Sequence, residues 1–274
     1  MEYFTVDKAK CKGDGTCVAV CPVKIIKMDE HSRIPEMIEK GQELCIRCGH
    51  CVAVCPAGAL SLSSMPVFDC LPQKAGWRLA PEQVEQFLKS RRSIRLYRAD
   101  PVERATLEKL IDIARFAPSG INRQPVYWAI IYEQEKIRKL LELIVAWMRS
   151  EVEQSSELAE SFRMKNILAA WDKKDDWICR GAPHLVIAYS LKDDPTAPSA
   201  CTIALTYLEF AAVSFGLGTC WAGYAAMAIN LCSEVKKFLG LSAKTSCFGA
   251  MMVGHPKVNY FRIPLRNKPH IIWR

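Results

Sequence analysis

The chain has 274 residues, of which 50% are apolar and 24% charged, and its formal net charge is +8. This composition is that of a soluble globular protein long enough for two modest domains, and it does not demand a nucleic-acid partner. Thirteen cysteines in a chain whose first residues show no apolar secretory signal favour metal ligation over disulfide bonds.

Seven of the cysteines lie within the first 55 residues, in a sequence that nearly repeats itself. The segment Cys17-Val-Ala-Val-Cys21-Pro22 returns as Cys51-Val-Ala-Val-Cys55-Pro56. An internal repeat of this kind predicts two equivalent halves, each supplying metal ligands. The other six cysteines are scattered, and we interpret most of them as small buried apolar residues.

The second half contains the run Cys45-x2-Cys48-x2-Cys51-x3-Cys55-Pro, which matches the bacterial ferredoxin pattern at every position. Three closely spaced thiolates face one cuboidal iron–sulfur cluster, and the fourth cysteine of each run reaches the other cluster. Four cysteines also occur in zinc sites, but those sites pair their cysteines instead of running them in series. The predicted ligands of this cluster, called cluster two, are Cys45, Cys48, Cys51 and Cys21.

The first half departs from the pattern, because the position of its second cysteine holds Asp14. It resembles those ferredoxins in which aspartate replaces this cysteine. Carboxylate oxygen is a harder ligand than thiolate, so cluster one is either [4Fe–4S] with Asp14 as a ligand or [3Fe–4S] without that iron. Alternatively, Asp14 only shapes the turn between two glycines. The other predicted ligands of cluster one are Cys11, Cys17 and Cys55. The ferredoxin resemblance covers residues 1–62 and implies low-potential, one-electron transfer.

We predict a first domain at 1–64, a linker at 65–80 and a second domain at 81–274. In the second domain, apolar periodicity indicates alternating helices and strands, typical of an α/β or α+β sheet domain. The predicted helices are 81–90, one starting at Asp100-Pro-Val-Glu, 137–148, one ending near Phe215 and one from Asn230 to Gly240. The predicted strands are 126–132, 185–190, 219–224 and 247–253.

One apolar stretch needs a separate interpretation, because Glu209 is the only charged residue between Ala204 and Leu231. Glycines and an asparagine in this stretch favour a buried helix followed by a buried strand over a membrane span.

A basic segment, Arg91-Arg92-Ser93-Ile-Arg95, follows the first predicted helix of the second domain. Its guanidinium groups and hydroxyl can donate to a phosphate group, although a run of charges is also common on a solvated surface. One amphipathic helix later comes the segment Ala-Pro-Ser-Gly-Ile-Asn-Arg-Gln-Pro at 117–125. No Gly-x-Gly-x-x-Gly motif follows a strand, so a dedicated dinucleotide site is not expected.

In order and spacing, these segments resemble the nitroreductase family, which opens with Arg-x-Ser-x-Arg and continues with a helix, a Pro-Ser-x-x-Asn-x-Gln-Pro loop and a buried strand. The segment Gly-Leu-Gly-Thr-Cys-Trp-Ala-Gly at 216–223 and the ending Val-Gly-His-Pro at 253–256 are also similar to that family. The resemblance covers about residues 82–274. It implies an α+β flavoprotein domain with a central mixed sheet, an FMN cofactor and a homodimer with FMN at the subunit interface.

The resemblance also implies which residues contact FMN. The residues implied to hold the phosphate are Arg91, Arg92, Ser93 and Arg266, with Arg95 near the ring edge. Those implied to line the flavin from the partner subunit are Pro118, Ser119 and Asn122. Those implied to present their backbone to the N5 side of the ring are Trp221, Ala222 and Gly223. Each residue also has an ordinary structural interpretation, such as a helix end at Pro118 or a core position at Trp221.

Residues 150–180 match no pattern of the family. Their larger apolar side chains are candidates for pocket walls and equally for the core, namely Phe162, Met164, Trp171 and Trp177.

Together the two resemblances predict an iron–sulfur flavoprotein oxidoreductase. A low-potential donor, ferredoxin or NAD(P)H, would supply electrons through two clusters to FMN and on to a nitroaromatic, a quinone or an activated alkene. No catalytic side chain is expected, because the flavin carries the chemistry. Two other functions stay open: an electron-transfer module that relays electrons to a partner protein, and a flavin-consuming or dehalogenating enzyme. The fragility of iron–sulfur clusters predicts a cytoplasmic protein. Neither a membrane nor a nucleic acid is expected as a partner.

Overall fold

In the computed structural model, which describes residues 2–274, the chain divides into two units. The first unit contains the residues up to Leu79 together with Ile121–Arg123. The second contains Ala80–Gly120 and Gln124–Arg274. The boundary after Leu79 falls at the end of the predicted linker at 65–80.

The first unit is built from two short antiparallel strand pairs and three short helices. Its elements are β1 (Phe4–Val6), α1 (Thr16–Ala19), β2 (Ile26–Met28), β3 (Pro35–Met37), α2 (Gly41–Leu44), α3 (His50–Val54) and β4 (Leu60–Leu62). β1 pairs with β4, and β2 pairs with β3. The sequence repeat has a structural counterpart, because Gly15 before α1 and Gly49 before α3 both have a φ of 72°. Glycine adopts this left-handed conformation at no steric cost, so each cysteine loop turns sharply into the helix that follows it.

The second unit is a four-stranded sheet between helices. Its elements are α4 (Pro81–Ser90), α5 (Arg104–Ala114), β5 (Tyr127–Ile131), α6 (Gln134–Glu153), α7 (Glu157–Ser161), α8 (Met164–Asp172), β6 (His184–Leu191), α9 (Ala197–Ser214), β7 (Gly218–Trp221), α10 (Gly223–Leu231), α11 (Ser233–Phe238) and β8 (Thr245–Gly254). The strand order is β5-β6-β8-β7, and all three strand pairs are antiparallel. A parallel bridge joins Ser93 to Thr219 at the β7 edge.

Side chains of the sheet enter two separate hydrophobic cores, one on each face. Leu185 and Ile187 of β6 belong to a core shared with α6, α8, α10 and α11. Val186 and Ala188 belong to a core shared with α5 and α9. Because successive residues of a strand point to opposite faces, helices cover both sides of this sheet. The predicted α+β class is confirmed.

The apolar stretch 204–231 forms the end of α9, then β7, then α10. Several of its apolar side chains are buried in the two cores, among them Leu205, Ala212 and Ile229. Within residues 2–274, the structure contains no helix that is both long and apolar enough to cross a membrane.

Three predicted element boundaries are wrong. The helix predicted from Asp100 begins at Arg104, because both Asp100 carboxylate oxygens accept hydrogen bonds from Arg98 at 2.9 Å and do not cap a helix. Asn230 does not start a helix but lies near the end of α10, where its amide group exchanges two hydrogen bonds with Cys247 of β8. Consequently α10 occupies Gly223–Leu231, and the strand predicted at 219–224 ends at Trp221.

A buried histidine links the strands to the segment before α5. His184 Nε2 accepts a hydrogen bond from the Val102 N–H at 2.8 Å, and Nδ1 lies 2.9 Å from the Tyr132 carbonyl oxygen. These contacts fit a neutral ring that carries its proton on Nδ1. Burial lowers the pKa of His184 below its ordinary value.

We therefore expect the second unit to lose stability as the pH falls below about 6.5, the ordinary histidine pKa. The unfolded chain binds this proton more readily than the folded chain, so acid favours unfolding by at most about 1.4 kcal/mol per pH unit. The measurement is the denaturation midpoint between pH 8 and pH 5, for wild type and His184→Gln. The variant should be less stable at pH 8 and should depend less on pH. An identical pH dependence in the variant would assign the effect to another group.

Candidate functional site

The predicted ligands of cluster one lie together in the first unit. They line one recess, whose wall includes Cys11, Asp14, Cys17 and Cys55. The empty space in this recess, including the part that is open to solvent, amounts to about 390 Å³. Cys55 comes from the second cysteine run, so the wall of this recess contains cysteines from both halves of the repeat.

The predicted ligands of cluster two line a second recess of similar size, which includes Cys21, Cys45, Cys48 and Cys51. Here the residue from the other half is Cys21. Among the described residues, no group of three or more histidine, cysteine, aspartate or glutamate side chains could hold a single metal ion.

A buried hydroxyl lies near Cys45, one of the residues that line the second recess. The Tyr3 hydroxyl is buried and, among the described residues, has no hydrogen-bond partner. Burial and the neighbouring Cys45 raise the pKa of Tyr3. Iron-bound Cys45 would be a thiolate, and a thiolate can accept a hydrogen bond, so the surroundings of this recess fit a cluster.

Asp14 shapes its loop and has room for a second role. Its Oδ1 accepts the Thr16 N–H at 2.9 Å, and the glycines on both sides have positive φ angles. A carboxylate has a second oxygen, and Asp14 is exposed at the wall of the first recess. The turn and a bond to iron are therefore compatible in this geometry.

In the second unit, the basic segment runs along the edge strand β7. The Ile94 N–H donates to the Thr219 carbonyl oxygen at 2.8 Å, and the Ile94 side chain is buried. It packs against Gly218, where an added Cβ atom would lie 2.5 Å from Ile94 Cγ1. The absence of a side chain at Gly218 thus allows the segment to lie against the sheet.

The polar residues of this segment have different surroundings. Arg91 Nη1 lies 2.9 Å from Glu209 Oε1, and the Arg92 guanidinium lies 5.6 Å from the centre of the Tyr260 ring. Burial raises the pKa of the Cys220 thiol, while Arg95 and the Ser93 hydroxyl lower it. The segment therefore brings several donors of hydrogen bonds together at one end of β7, as a phosphate site requires.

The loop predicted to line the flavin is divided between the two units. Pro118 and Ser119 line a cleft of the second unit that is walled by α5, β5 and α9. Ser119 Oγ accepts the Gln124 N–H at 2.9 Å. Asn122 belongs to the first unit, where its amide Nδ2 donates to the carbonyl oxygens of residues 46 and 47 at 3.2 and 3.0 Å. Its φ of 56° lies in the left-handed region, which asparagine adopts more readily than most residues other than glycine.

The residues at the end of β7 differ in exposure. Trp221 is 37% exposed, and its ring covers Gly249 of β8. Ala222 is buried, and its N–H donates to the Ala250 carbonyl oxygen at 2.8 Å. The space around Gly223 is open, since an added Cβ atom would meet nothing within 4 Å. An open backbone beside an exposed ring fits a flat ligand.

Arg266, also predicted to hold the phosphate, lies in the exposed C-terminal segment. Its guanidinium donates to the neighbouring Leu265 carbonyl oxygen at 3.2 Å. Several apolar side chains of this segment are also exposed, namely Phe261, Leu265, Ile272 and Trp273.

Sequence reasoning missed two residues near the basic segment. Glu209 was identified only as a lone charge, and nothing in the sequence pairs it with Arg91. The Tyr97 hydroxyl is buried without a partner among the described residues, and burial raises its pKa. Of the four candidates at 150–180, Met164 is a core residue and Trp171 packs against the core, whereas Phe162 and Trp177 are 44% and 38% exposed.

Comparisons with known proteins agree with this division of the chain. The nitroreductase family model matches residues 88–255, and the model of the 4Fe–4S dicluster domain matches residues 10–59. A Methanothermobacter thermautotrophicus protein, named provisionally as an NADH dehydrogenase/NAD(P)H nitroreductase, is 20% identical over 182 residues, or 66% of this chain and 82% of that protein. Ferredoxin-1 of Nitratidesulfovibrio vulgaris is 48% identical over 31 residues, or 11% of this chain and 50% of the ferredoxin.

A solved structure shares the fold. The Bacteroides fragilis nitroreductase with bound FMN aligns with a TM-score of 0.59 at 20% identity, covering 70% of this chain and 99% of that one.

Proposed function

Because the chain belongs to the nitroreductase family and carries a 4Fe–4S dicluster domain ahead of its nitroreductase domain, we propose that it is an iron–sulfur flavoenzyme. It takes electrons singly from a low-potential donor through two clusters and uses them at FMN to reduce an organic acceptor. The observation that carries this proposal is the pair of cysteine-lined recesses in a chain that also holds a basic segment on β7.

The first unit holds the clusters. Cys11, Cys17, Cys55 and the Asp14 carboxylate surround cluster one, and Cys21, Cys45, Cys48 and Cys51 surround cluster two. Because each half of the repeat contributes one cysteine to the other cluster, the two clusters lie in one small unit. Burial of several ligands in an apolar core limits their contact with water, which is one determinant of cluster potential.

The second unit holds FMN. Arg91, Arg92 and Ser93 bind the phosphate, Arg95 lies near the ring edge, and the backbone of Trp221, Ala222 and Gly223 faces the ring. When bound, FMN accepts single electrons and passes a pair to an organic acceptor. The chain itself binds and orients the cofactor, and protons come from water.

The working form is a homodimer in which Pro118, Ser119 and Asn122 line the flavin of the partner subunit. The C-terminal segment supports this assembly, because it exposes Phe261 and Leu265 at 85% and 96%. Exposed apolar side chains at this density favour burial against another protein surface. A second copy would also allow Arg266 to approach a phosphate site.

The experiment is an anaerobic assay of the holoprotein with a panel of acceptors. The protein is reduced with a low-potential donor, and nitroaromatic, quinone and enoate compounds are added in turn. Fast reoxidation by one class, with stoichiometric product, supports the reductase. Reoxidation by a partner protein alone would favour an electron-transfer module, and oxygen-dependent loss of FMN or release of halide would favour the other enzyme classes.

The ligand role of Asp14 has its own test. Asp14→Cys should retain a complete [4Fe–4S] cluster one, because thiolate holds iron at a sulfide cluster more firmly than carboxylate does. Asp14→Asn keeps an oxygen that can accept the Thr16 N–H but removes the anionic ligand. After exposure to air, iron retention should therefore decrease in the order Cys, Asp, Asn, as measured by iron analysis and by the EPR signal of the three-iron cluster. Equal retention in wild type and Asp14→Asn would mean that Asp14 only shapes the turn.

A further inference from the structure

Glu209 is a buried charge in an otherwise uncharged helix. It is the only charged residue of α9, and its side chain is 6% exposed. Neighbouring side chains on the helix, Leu208 and Ala212, are fully buried and apolar. Removing a carboxylate from water costs free energy unless the charge is paired, so this position needs a specific partner.

That partner is Arg91, the first residue of the basic segment. Arg91 Nη1 donates to Glu209 Oε1 at 2.9 Å, and 25% of the Arg91 side chain remains exposed. Since guanidinium has five N–H donors, this contact leaves others for a second anion. The neighbouring Phe210 contacts Phe87 of α4 with ring centroids 5.8 Å apart, which also ties α4 to α9.

The pair fixes one side chain at the place where the segment begins. Arg91 ends α4, and Ile94, three residues later, is hydrogen-bonded to β7. The backbone after Arg91 is thus held by the sheet, while its guanidinium is held by α9. An arginine that is already oriented loses less freedom when it binds phosphate than a mobile one does.

We propose that Glu209 is a positioning residue that holds the Arg91 guanidinium ready for the FMN phosphate. This inference rests on the proposed function, because it requires FMN to bind at the basic segment. A purely structural role for the ion pair would have a different consequence. Loss of the pair would then affect the binding of ligands with and without phosphate equally.

The test compares FMN with riboflavin, which has the same ring system but no phosphate. The full chain with its clusters, freed of flavin, is titrated with each ligand, and the quenching of flavin fluorescence gives the Kd. The variants are Glu209→Leu, Glu209→Gln and Glu209→Asp. Circular dichroism and the cluster absorbance verify folding. If Glu209→Leu does not fold, Glu209→Asp replaces it in the test, because aspartate keeps the charge but its shorter side chain brings the carboxylate less close to Arg91.

Glu209→Leu and Glu209→Asp should weaken FMN binding about tenfold, the scale of one charge-assisted hydrogen bond, and leave riboflavin binding unchanged. Glu209→Gln should retain FMN affinity within about threefold, because its amide oxygen can still accept from Arg91. Equal weakening of both ligands would reduce Glu209 to a structural role. Tighter FMN binding in Glu209→Leu would mean that the carboxylate competes with the phosphate, and either result overturns the inference. A wild-type chain that binds riboflavin and FMN equally, or neither, would overturn the proposed phosphate site itself.

Discussion

Replacing Cys51 by alanine is expected to remove cluster two and to leave FMN bound. Cys51 is 9% exposed, lies in α3 and lines the second recess with three other cysteines. The first unit has few buried apolar side chains apart from its cysteines, so its stability depends on the metal that the cysteines bind. Iron analysis should show the loss of one whole cluster, and limited proteolysis should cut the first unit faster.

The chain supplies a matched control for this result. Cys70 is an exposed cysteine that lines neither recess. Cys70→Ala should keep all of its iron and the proteolytic resistance of wild type. Full iron content in Cys51→Ala, or iron loss in Cys70→Ala, would contradict the assignment of the second recess.

Gly218→Ala should weaken FMN binding by more than about tenfold and destabilise the second unit by roughly 1–3 kcal/mol, the usual cost of overpacking. The new methyl group would lie 2.5 to 2.8 Å from three atoms of Ile94. Because Ile94 anchors the basic segment, this methyl group displaces the residues proposed to hold the phosphate. FMN titration and chemical denaturation measure the two effects separately.

Two further variants distinguish displacement of the segment from a general effect of a glycine replacement. Gly76→Ala, where nothing lies within 4 Å, should match wild type in both measurements. Ile94→Ala combined with Gly218→Ala removes two of the three crowded atoms and should recover part of the FMN affinity. If the double variant bound FMN no better than Gly218→Ala, the contact with Ile94 would not explain the loss.

Features that depend on local sequence could be predicted. The spacing of the cysteines determines how a loop winds around a cluster. Each of the two predicted ligand sets lines one recess. The apolar stripe of 137–148 predicted a helix, and Ile137, Leu140 and Ile144 are all buried in α6. Periodicity is sufficient here because one helix face carries the whole signal.

Local signals failed where a distant or competing partner decides the structure. Asp100 has the sequence of a helix cap, but its carboxylate is bound by Arg98. Asn230 resembles a helix start, but β8 provides its hydrogen bonds. Glu209 and Arg91 are 118 positions apart, and no periodicity connects them.

The order in which electrons arrive tests the central proposal most directly. Wild type and Cys51→Ala are mixed anaerobically with a low-potential donor, and the cluster and flavin absorbances are followed by stopped flow. In wild type the clusters should be reduced first and the flavin afterwards. In Cys51→Ala the same donor should reduce the flavin much more slowly. Two results would contradict a relay through the first unit. One is flavin reduction at the same rate in both proteins, and the other is flavin reduction by NAD(P)H alone while the clusters stay oxidised.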